Sequence, residues 1–279
     1  VLIIIIRKIM TSPIVSILLP NYRTLKLTKI CLRLIRQHTD TDLIKVIVID
    51  NDSKDESLDY LRRLDWITLM ERKACMGESV GMAHSLALDK GLAMVDTPYV
   101  MSIHTDTFVY QKEWLNFLID EMNKNPNIAG VGSWKLEQKS LFRYGLKNIE
   151  RTVQKLLFPR MGKGYGKMEG KGDNFYYLRS HCALYRTELI KKYGLNFSQG
   201  EDTAGRQMHK ALVDNGHDMI FLPTEVLSQY LLHVNHATMV LNPQLGSSSR
   251  SVKTGTKRIR KALNLVNAQD ILNNDSLDD

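Results

Sequence analysis

Apolar and polar positions along the first half of the chain fall into blocks of two kinds, short β-branched runs and longer stretches with helical spacing. Ile14–Leu19 is an apolar run closed by Pro20-Asn21, and Lys45–Ile49 is another, closed by Asp50-Asn51-Asp52-Ser53. Runs of this length bounded by turn residues predict strands buried on both faces. Between them Leu25, Ile30, Leu32, Leu34 and Ile35 recur at roughly helical spacing. Asp55 and Glu56 open a second helix through Leu58, Leu61 and Leu64, and Ile67–Met70 predicts a third strand. A turn at Gly77, a helix to about Leu92 and a strand ending at Ile103 follow, and Trp114, Phe117, Leu118 and Met122 then line one helix face. This alternation predicts an α/β fold: a mixed, mostly parallel, doubly wound sheet with right-handed crossovers and helices on both faces.

Beyond Gly130 the alternation stops. Lys135–Lys171 holds ten Lys or Arg against three Glu, with glycines at 145, 162, 164, 166 and 170. Phe142, Leu146, Ile149, Val153 and Leu156 share a helical stripe, and Arg143, Lys147, Arg151 and Lys155 fall four apart beside it. That is a basic amphipathic helix, packed on the core with a charged edge or laid on a membrane surface or acceptor. Residues 161–172 read as a basic loop. From Gln244 the chain carries Gly246-Ser-Ser-Ser249, a short helical pattern at Lys257-Arg-Ile-Arg-Lys261 and an acidic end at Asp275–Asp279, which predicts a loosely held, basic then acidic C-terminal arm. The organisation expected is one large domain over residues 10–243, with halves at 13–133 and 134–243 and the basic segment at 140–172, followed by the arm at 244–279.

Composition is compatible with that plan: 279 residues, 43% hydrophobic and 24% charged, suffice for one full core. With 38 Lys and Arg against 30 Asp and Glu the net charge is +8, which favours anionic partners. No recognised nucleic-acid motif accompanies the charge, so nucleic acid is an unlikely partner. Cys31, Cys75 and Cys182 form no CxxC pair, which suggests neither a disulfide framework nor a zinc ribbon and fits a reducing, cytoplasmic setting. Val1–Ile6 is too short to span a bilayer and lacks a signal leader, and residues 1–9 read as an extension ahead of Met10.

Candidate chemistry gathers where strands end. His104-Thr105-Asp106 follows an apolar strand, where an acidic side chain can hold a divalent cation against a diphosphate or can merely cap the next turn. Asp50 could accept a hydrogen bond from a pyrimidine imide or belong to an Asx turn with Asp52 and Ser53. Gly77 and Gly81 flank a helix start, where a diphosphate can approach free N–H groups. Glu201-Asp202 could aim a general base or complement a helix dipole, and His233 and His236 compete as a further metal ligand.

In order along the chain stand Pro20-Asn21-Tyr22, Asp50-Asn51-Asp52-Ser53-Lys54-Asp55, Met76 to Ser85, His104-Thr105-Asp106, Gly200-Glu201-Asp202-Thr203, Ile220-Phe-Leu-Pro223 and Leu232-His233. That series resembles the family 2 glycosyltransferases of the GT-A fold over roughly residues 13–243. The resemblance implies a catalytic domain whose first half binds a nucleotide sugar, through Pro20, Asn21, Tyr22, Asp50, Asp52, Gly77, His84 and Thr105, and whose second half binds the acceptor. It implies Asp202 as the base with Glu201 orienting it or the acceptor, and a divalent cation, Mn2+ or Mg2+, held by Asp106 with His233 and His104. Two positions depart from the family pattern. His84 and Ser85 stand where Arg and Asn are usual, which removes a bidentate fork, and His104 replaces the first carboxylate of Asp-x-Asp, which tilts the site toward Mn2+ or leaves His104 outside the metal's ligands.

The expected reaction is a metal-assisted, inverting transfer of one sugar from a nucleoside diphosphate donor of UDP or dTDP type to a saccharide or lipid-linked saccharide acceptor, as in polysaccharide biosynthesis. The Gln-x-x-Arg-Trp motif of processive synthases does not occur. The basic stripe adds an anionic membrane surface as an expected partner, with a peripheral place on its inner face. A non-catalytic nucleotide-sugar-binding module is the first alternative. A sugar nucleotidyltransferase is the second, disfavoured because Pro20-Asn-Tyr-Arg-Thr24 is not a Gly-rich phosphate loop.

Overall fold

A computed structural model describes residues 12–136, 170, 172–200 and 203–279. The expected GT-A-type architecture is present: a seven-stranded mixed sheet in the order β3-β2-β1-β4-β7-β6-β8, and a two-stranded ribbon of β5 and β9. The strands are β1 (Val15–Asn21), β2 (Ile44–Asn51), β3 (Ile67–Arg72), β4 (Tyr99–Ile103), β5 (Thr107–Val109), β6 (Ile128–Gly132), β7 (Cys182–Arg186), β8 (Asp218–Phe221) and β9 (Leu231–His233). The pairs β1–β2, β2–β3, β1–β4 and β6–β8 are parallel, whereas β7 runs antiparallel to both its neighbours.

Strand pleating sorts the apolar residues into two cores. Val15, Ile17 and Leu19 of β1 join Val46 and Val48 of β2 on one face, under Ile30, Leu34 and Ile35 of helix α1 (Leu25–His38). Leu18 points the other way with Ile47 and Ile49, against Ala87 and Leu88 of α3 (Val80–Leu92). Such strands are apolar at consecutive positions because both faces are covered, which is what their unalternating sequence implied. Helix α2 (Glu56–Leu61) is capped by Asp55, whose carboxylate accepts from Ser57 N. The remaining α-helices among the described residues are α4 (Trp114–Asn123), α5 (Thr187–Lys192), α6 (Arg206–Asp214), α7 (Thr224–Leu227), α8 (Ala237–Leu241), α9 (Ser249–Leu265) and α10 (Ala268–Asn273).

The C-terminal region differs from the loose arm expected. Residues 249–265 form one continuous helix, and Ile259, Ala262, Val266, Ala268 and Ile271 belong to the same apolar core as β1 and α1. The chain end is fastened by Arg33, a fully buried residue of α1. Its guanidinium donates to Asp278 (Nε to Oδ1, 2.8 Å), to Asp275 (Nη2 to Oδ1, 2.6 Å) and to the carbonyls of Ile271 and Leu272 (2.8 Å each). Tyr60 Oη donates to the same Asp278 carboxylate. The acidic end is thus the counter-charge of a buried cation more than two hundred residues earlier in sequence, a pairing that local patterning does not report. The basic segment expected over 140–172 lies outside the described residues apart from Gly170 and Gly172.

Candidate active site

Four strand ends meet at one edge of the sheet. Strands β1, β2, β4 and β6 finish there, and β7, running the other way, begins there. The β4–β7 register sets Ile103 against Cys182, so His104 and Ser180-His181 emerge side by side. The ribbon supplies the last piece, because Thr107 pairs with His233 and Val234 N donates to Asp106 O at 2.9 Å. Two residues more than a hundred positions apart are placed together by main-chain hydrogen bonds.

The result is a compact triad. One ligand atom each from His104, Asp106 and His233 lies within 4.8 Å of the others. Asp106 is buried, its Oδ2 accepts from Ala237 N at the start of α8 (3.0 Å), and its Oδ1 lies 3.2 Å from His233 Nε2 and 3.8 Å from His104 Nδ1. His233 Nε2 is buried and makes no aligned hydrogen bond despite that short approach. A buried nitrogen facing a carboxylate with no proton shared between them is a position that a divalent cation satisfies. His236, the competing candidate, lies on the cleft wall at φ +57° before α8 and is not part of the triad.

Electrostatics agree with that fit. Burial pushes the Asp106 carboxyl upward, but the electrostatic influence of the nearby His233 and His104 rings and the bond from the Ala237 amide outweigh burial and hold the group below the ordinary carboxylate range. Burial keeps His104 well below the usual imidazole value, aided by repulsion from His84, and places His181 there too, aided by repulsion from His233. His84 is pushed down to about 4, chiefly by burial. An ionised carboxylate beside a His104 imidazole held neutral is a donor set suited to a metal.

The triad sits in a cleft of about 650 Å3 whose wall includes Pro20, Asn21, Tyr22, His84 and Thr105, as well as His104, Asp106 and His233. Three other expected donor-site residues stand elsewhere. Asp50 is 1% exposed and spends both oxygens on the scaffold, accepting from Asn21 Nδ2 (2.8 Å) and Ser53 N (3.0 Å). Side chains alternate along β2, so it is Asn51, not Asp50, that lines the cleft. Asp52, at φ +63°, pairs with Lys54 at 3.1 Å, and Gly77, at φ +87°, shapes the turn before α3 without joining the wall. Glu201 and Asp202 lie outside the described residues, but Thr203, the next residue, is on the cleft wall.

Several wall residues left no legible signal in the sequence. His181 stacks on His233 with ring centroids 4.4 Å apart and donates to or accepts from Ser133 Oγ at 2.9 Å. Ser180 Oγ lies 3.0 Å from His104 Nε2 and 3.1 Å from His84 Nε2. Arg179 lies over the Trp134 and Tyr177 rings, with its charge on the cleft wall. A nearby ion pair joins Arg72 to Glu78, and Arg72 also donates to Asn51 Oδ1. Arg179, Ser180 and His181 lead into the antiparallel strand β7, where proximity to the triad comes from register rather than from spacing along the chain.

Residues 16–194 match the family model described as glycosyl transferase family 2, and the chain belongs to that family. Its fold is similar to mannosyltransferase PcManGT from Pyrobaculum calidifontis, solved with GDP-Man and Mn2+, over 77% of this chain and 56% of that one, at 17% identity and a TM-score of 0.53. It is also similar to residues 1–349 of S. aureus TarS, over 89% of this chain and 71% of that one, at 15% identity and a TM-score of 0.50. The chain therefore spans little more than half the length of the mannosyltransferase. No curated protein matches the sequence.

Proposed function

We propose that this glycosyltransferase moves one sugar from a nucleoside diphosphate sugar to a saccharide or lipid-linked saccharide acceptor with inversion at the anomeric carbon. The observation that carries the reading is the His104-Asp106-His233 triad at the carboxyl end of β4, within the cleft formed by the strand ends. The mannosyltransferase with a similar fold was solved with a nucleotide sugar and Mn2+, in line with a donor and cation of this class.

A divalent cation held by Asp106, His233 and His104 would neutralise the charge that grows on the departing nucleoside diphosphate. Arg179 adds a fixed positive charge on the same wall, and its rings of Trp134 and Tyr177 keep the guanidinium oriented. Tyr22 and Asn51 bound the part of the cleft nearest the β1 and β2 ends, where the nucleoside is accommodated. Asp202, one residue before the wall residue Thr203, takes the proton of the acceptor hydroxyl as its oxygen bonds to the anomeric carbon. The bond from that carbon to the diphosphate oxygen breaks, and its electron pair leaves with the nucleoside diphosphate.

Asp202→Asn tests the assignment. Donor binding by titration is expected to remain within a few-fold, while transfer falls by about 10²- to 10⁴-fold, the usual contribution of a positioned base. Full transfer in that variant overturns the role of Asp202.

The acceptor side carries its own clue. Arg250, Lys253, Lys257, Arg260 and Lys261 are exposed on α9 opposite its buried Gly255, Ile259 and Ala262, and the helix spans no carboxylate. At 1.5 Å per residue they form a stripe about 16 Å long. Helix α9 leans on α8, whose Thr238 and Met239 line the cleft, and Arg258 Nη2 donates to the carbonyl of the wall residue Asn235 at 2.6 Å. A stripe of cations on the outer face of a helix packed against the cleft-lining α8 suits an acceptor displayed on an anionic bilayer.

A further inference from the structure

We infer that Ser180 is a positioning residue that sets the tautomer of His104, presents its Nδ1 to the cation, and so makes this a nitrogen-rich site that prefers Mn2+ or Zn2+ to Mg2+. The inference rests on the cation reading given above and deepens it. Ser180 Oγ lies 3.0 Å from His104 Nε2 and 3.1 Å from His84 Nε2. A hydroxyl has one proton to give and two lone pairs, so Ser180 donates to at most one of the two imidazoles and accepts from the other or from both.

Only one arrangement leaves His104 Nδ1 free to bind a cation. A neutral His104 must then carry its proton on Nε2 and donate it to Ser180 Oγ, which leaves Ser180 able to donate its own proton to His84 Nε2. The lone pair of His104 Nδ1 is left facing Asp106 Oδ1, 3.8 Å away, a gap too long for a direct hydrogen bond. Cation binding through His104 Nδ1 thus makes Ser180 Oγ the acceptor of the His104 Nε2 proton, and Ser180 joins His104 to His84.

The selectivity follows from the ligand atoms. Two imidazole nitrogens and one carboxylate suit borderline divalent ions of the first transition row, whereas Mg2+ prefers oxygen ligands and near-ideal octahedral geometry. A partner that orients a metal-ligating histidine is commonly worth 10- to 100-fold in affinity.

The test titrates Mn2+, Zn2+ and Mg2+ into the full chain by calorimetry, with and without UDP or GDP, and records imidazole 15N spectra of the Zn2+ form. The intact protein is expected to bind Mn2+ and Zn2+ at least about 10-fold more tightly than Mg2+. Ser180→Ala should weaken Zn2+ binding by about 10- to 100-fold and mix the His104 tautomers, and Ser180→Thr, which keeps the hydroxyl, should restore both. His104→Asp should narrow the gap between Mn2+ and Mg2+. Equal affinity for Mg2+ and Mn2+ in the intact protein, or unchanged affinity and tautomer in Ser180→Ala, overturns the inference while leaving the cation reading standing. Failure of every cation to bind, even with nucleotide added, overturns the cation reading and this inference with it.

Discussion

Asp106 carries the greatest share of the site's chemistry, and its two oxygens have separate tasks. Oδ2 is held by the Ala237 amide, while Oδ1 faces both imidazoles. Asp106→Asn keeps an acceptor for that amide but loses the charge. Cation binding is expected to weaken by at least about 100-fold, while unfolding free energy changes by less than about 2 kcal/mol, because the side-chain amide oxygen still accepts from Ala237 N. Calorimetric titration and urea denaturation read the two effects separately. A second residue-scale prediction concerns His209 of α6, whose Nδ1 accepts from Leu178 N at 3.3 Å and whose imidazole is pushed down to about 4 by burial. Below pH 6.5 the unfolded chain binds a proton there that the folded protein refuses, so stability is full above that pH and declines as pH falls toward 4. His209→Asn retains an acceptor without the titration, and a shallower fall of Tm with acid is expected. The same scale shows which residues the sequence made readable: His104, Asp106 and His233 were legible as types at strand ends, whereas Ser180 and His181 were not, since a Ser-His pair before an apolar run has no distinguishing period.

At the scale of elements, the two cores follow from strands that are apolar at successive positions, and that much was readable along the chain. The packing of α9 on α8 was not. Gly255 faces Val240 so closely that an added Cβ would lie 2.2 Å from Val240 Cγ2. Gly255→Ala forces the helices apart despite its better helix propensity, and a loss of about 1–3 kcal/mol is expected. Val240→Ala in the same chain should recover much of that loss, and chemical denaturation of the single and double variants measures the coupling. The anchoring of the chain end by Arg33 belongs here as well. Its position in the middle of an apolar helix stripe is the one local sign that a buried cation needs a distant carboxylate.

Across the described part of the molecule, cations collect on the outer face of α9. Asp275 and Asp278 are engaged by Arg33 and Lys29, which leaves the α9 stripe without acids of its own. Flotation with vesicles containing anionic phospholipid should show binding at low salt that fades as salt approaches physiological strength, because exposed charges are screened over about 8–10 Å. Reversing Lys253, Lys257 and Lys261 to Glu should abolish it without altering donor binding. Flotation unaffected by that triple change would place any membrane contact elsewhere. Among the described residues no helix is long and apolar enough to cross a membrane.

What the sequence determined by itself is everything carried by short-range period and punctuation: the strand and helix order, the two-faced burial of the sheet, and the polar residues left at its strand ends. Those features depend on interactions within a few residues, so their signal survives in one dimension. Tertiary structure decided the rest. The antiparallel entry of β7 brought Ser180 and His181 to His104, the ribbon register brought His233 to Asp106, β-pleating turned Asp50 inward and Asn51 toward the cleft, and Arg33 captured the acidic end. Each is a long-range pairing chosen by register or by the cost of an unpaired buried charge, and neither term is written in the local order of residues.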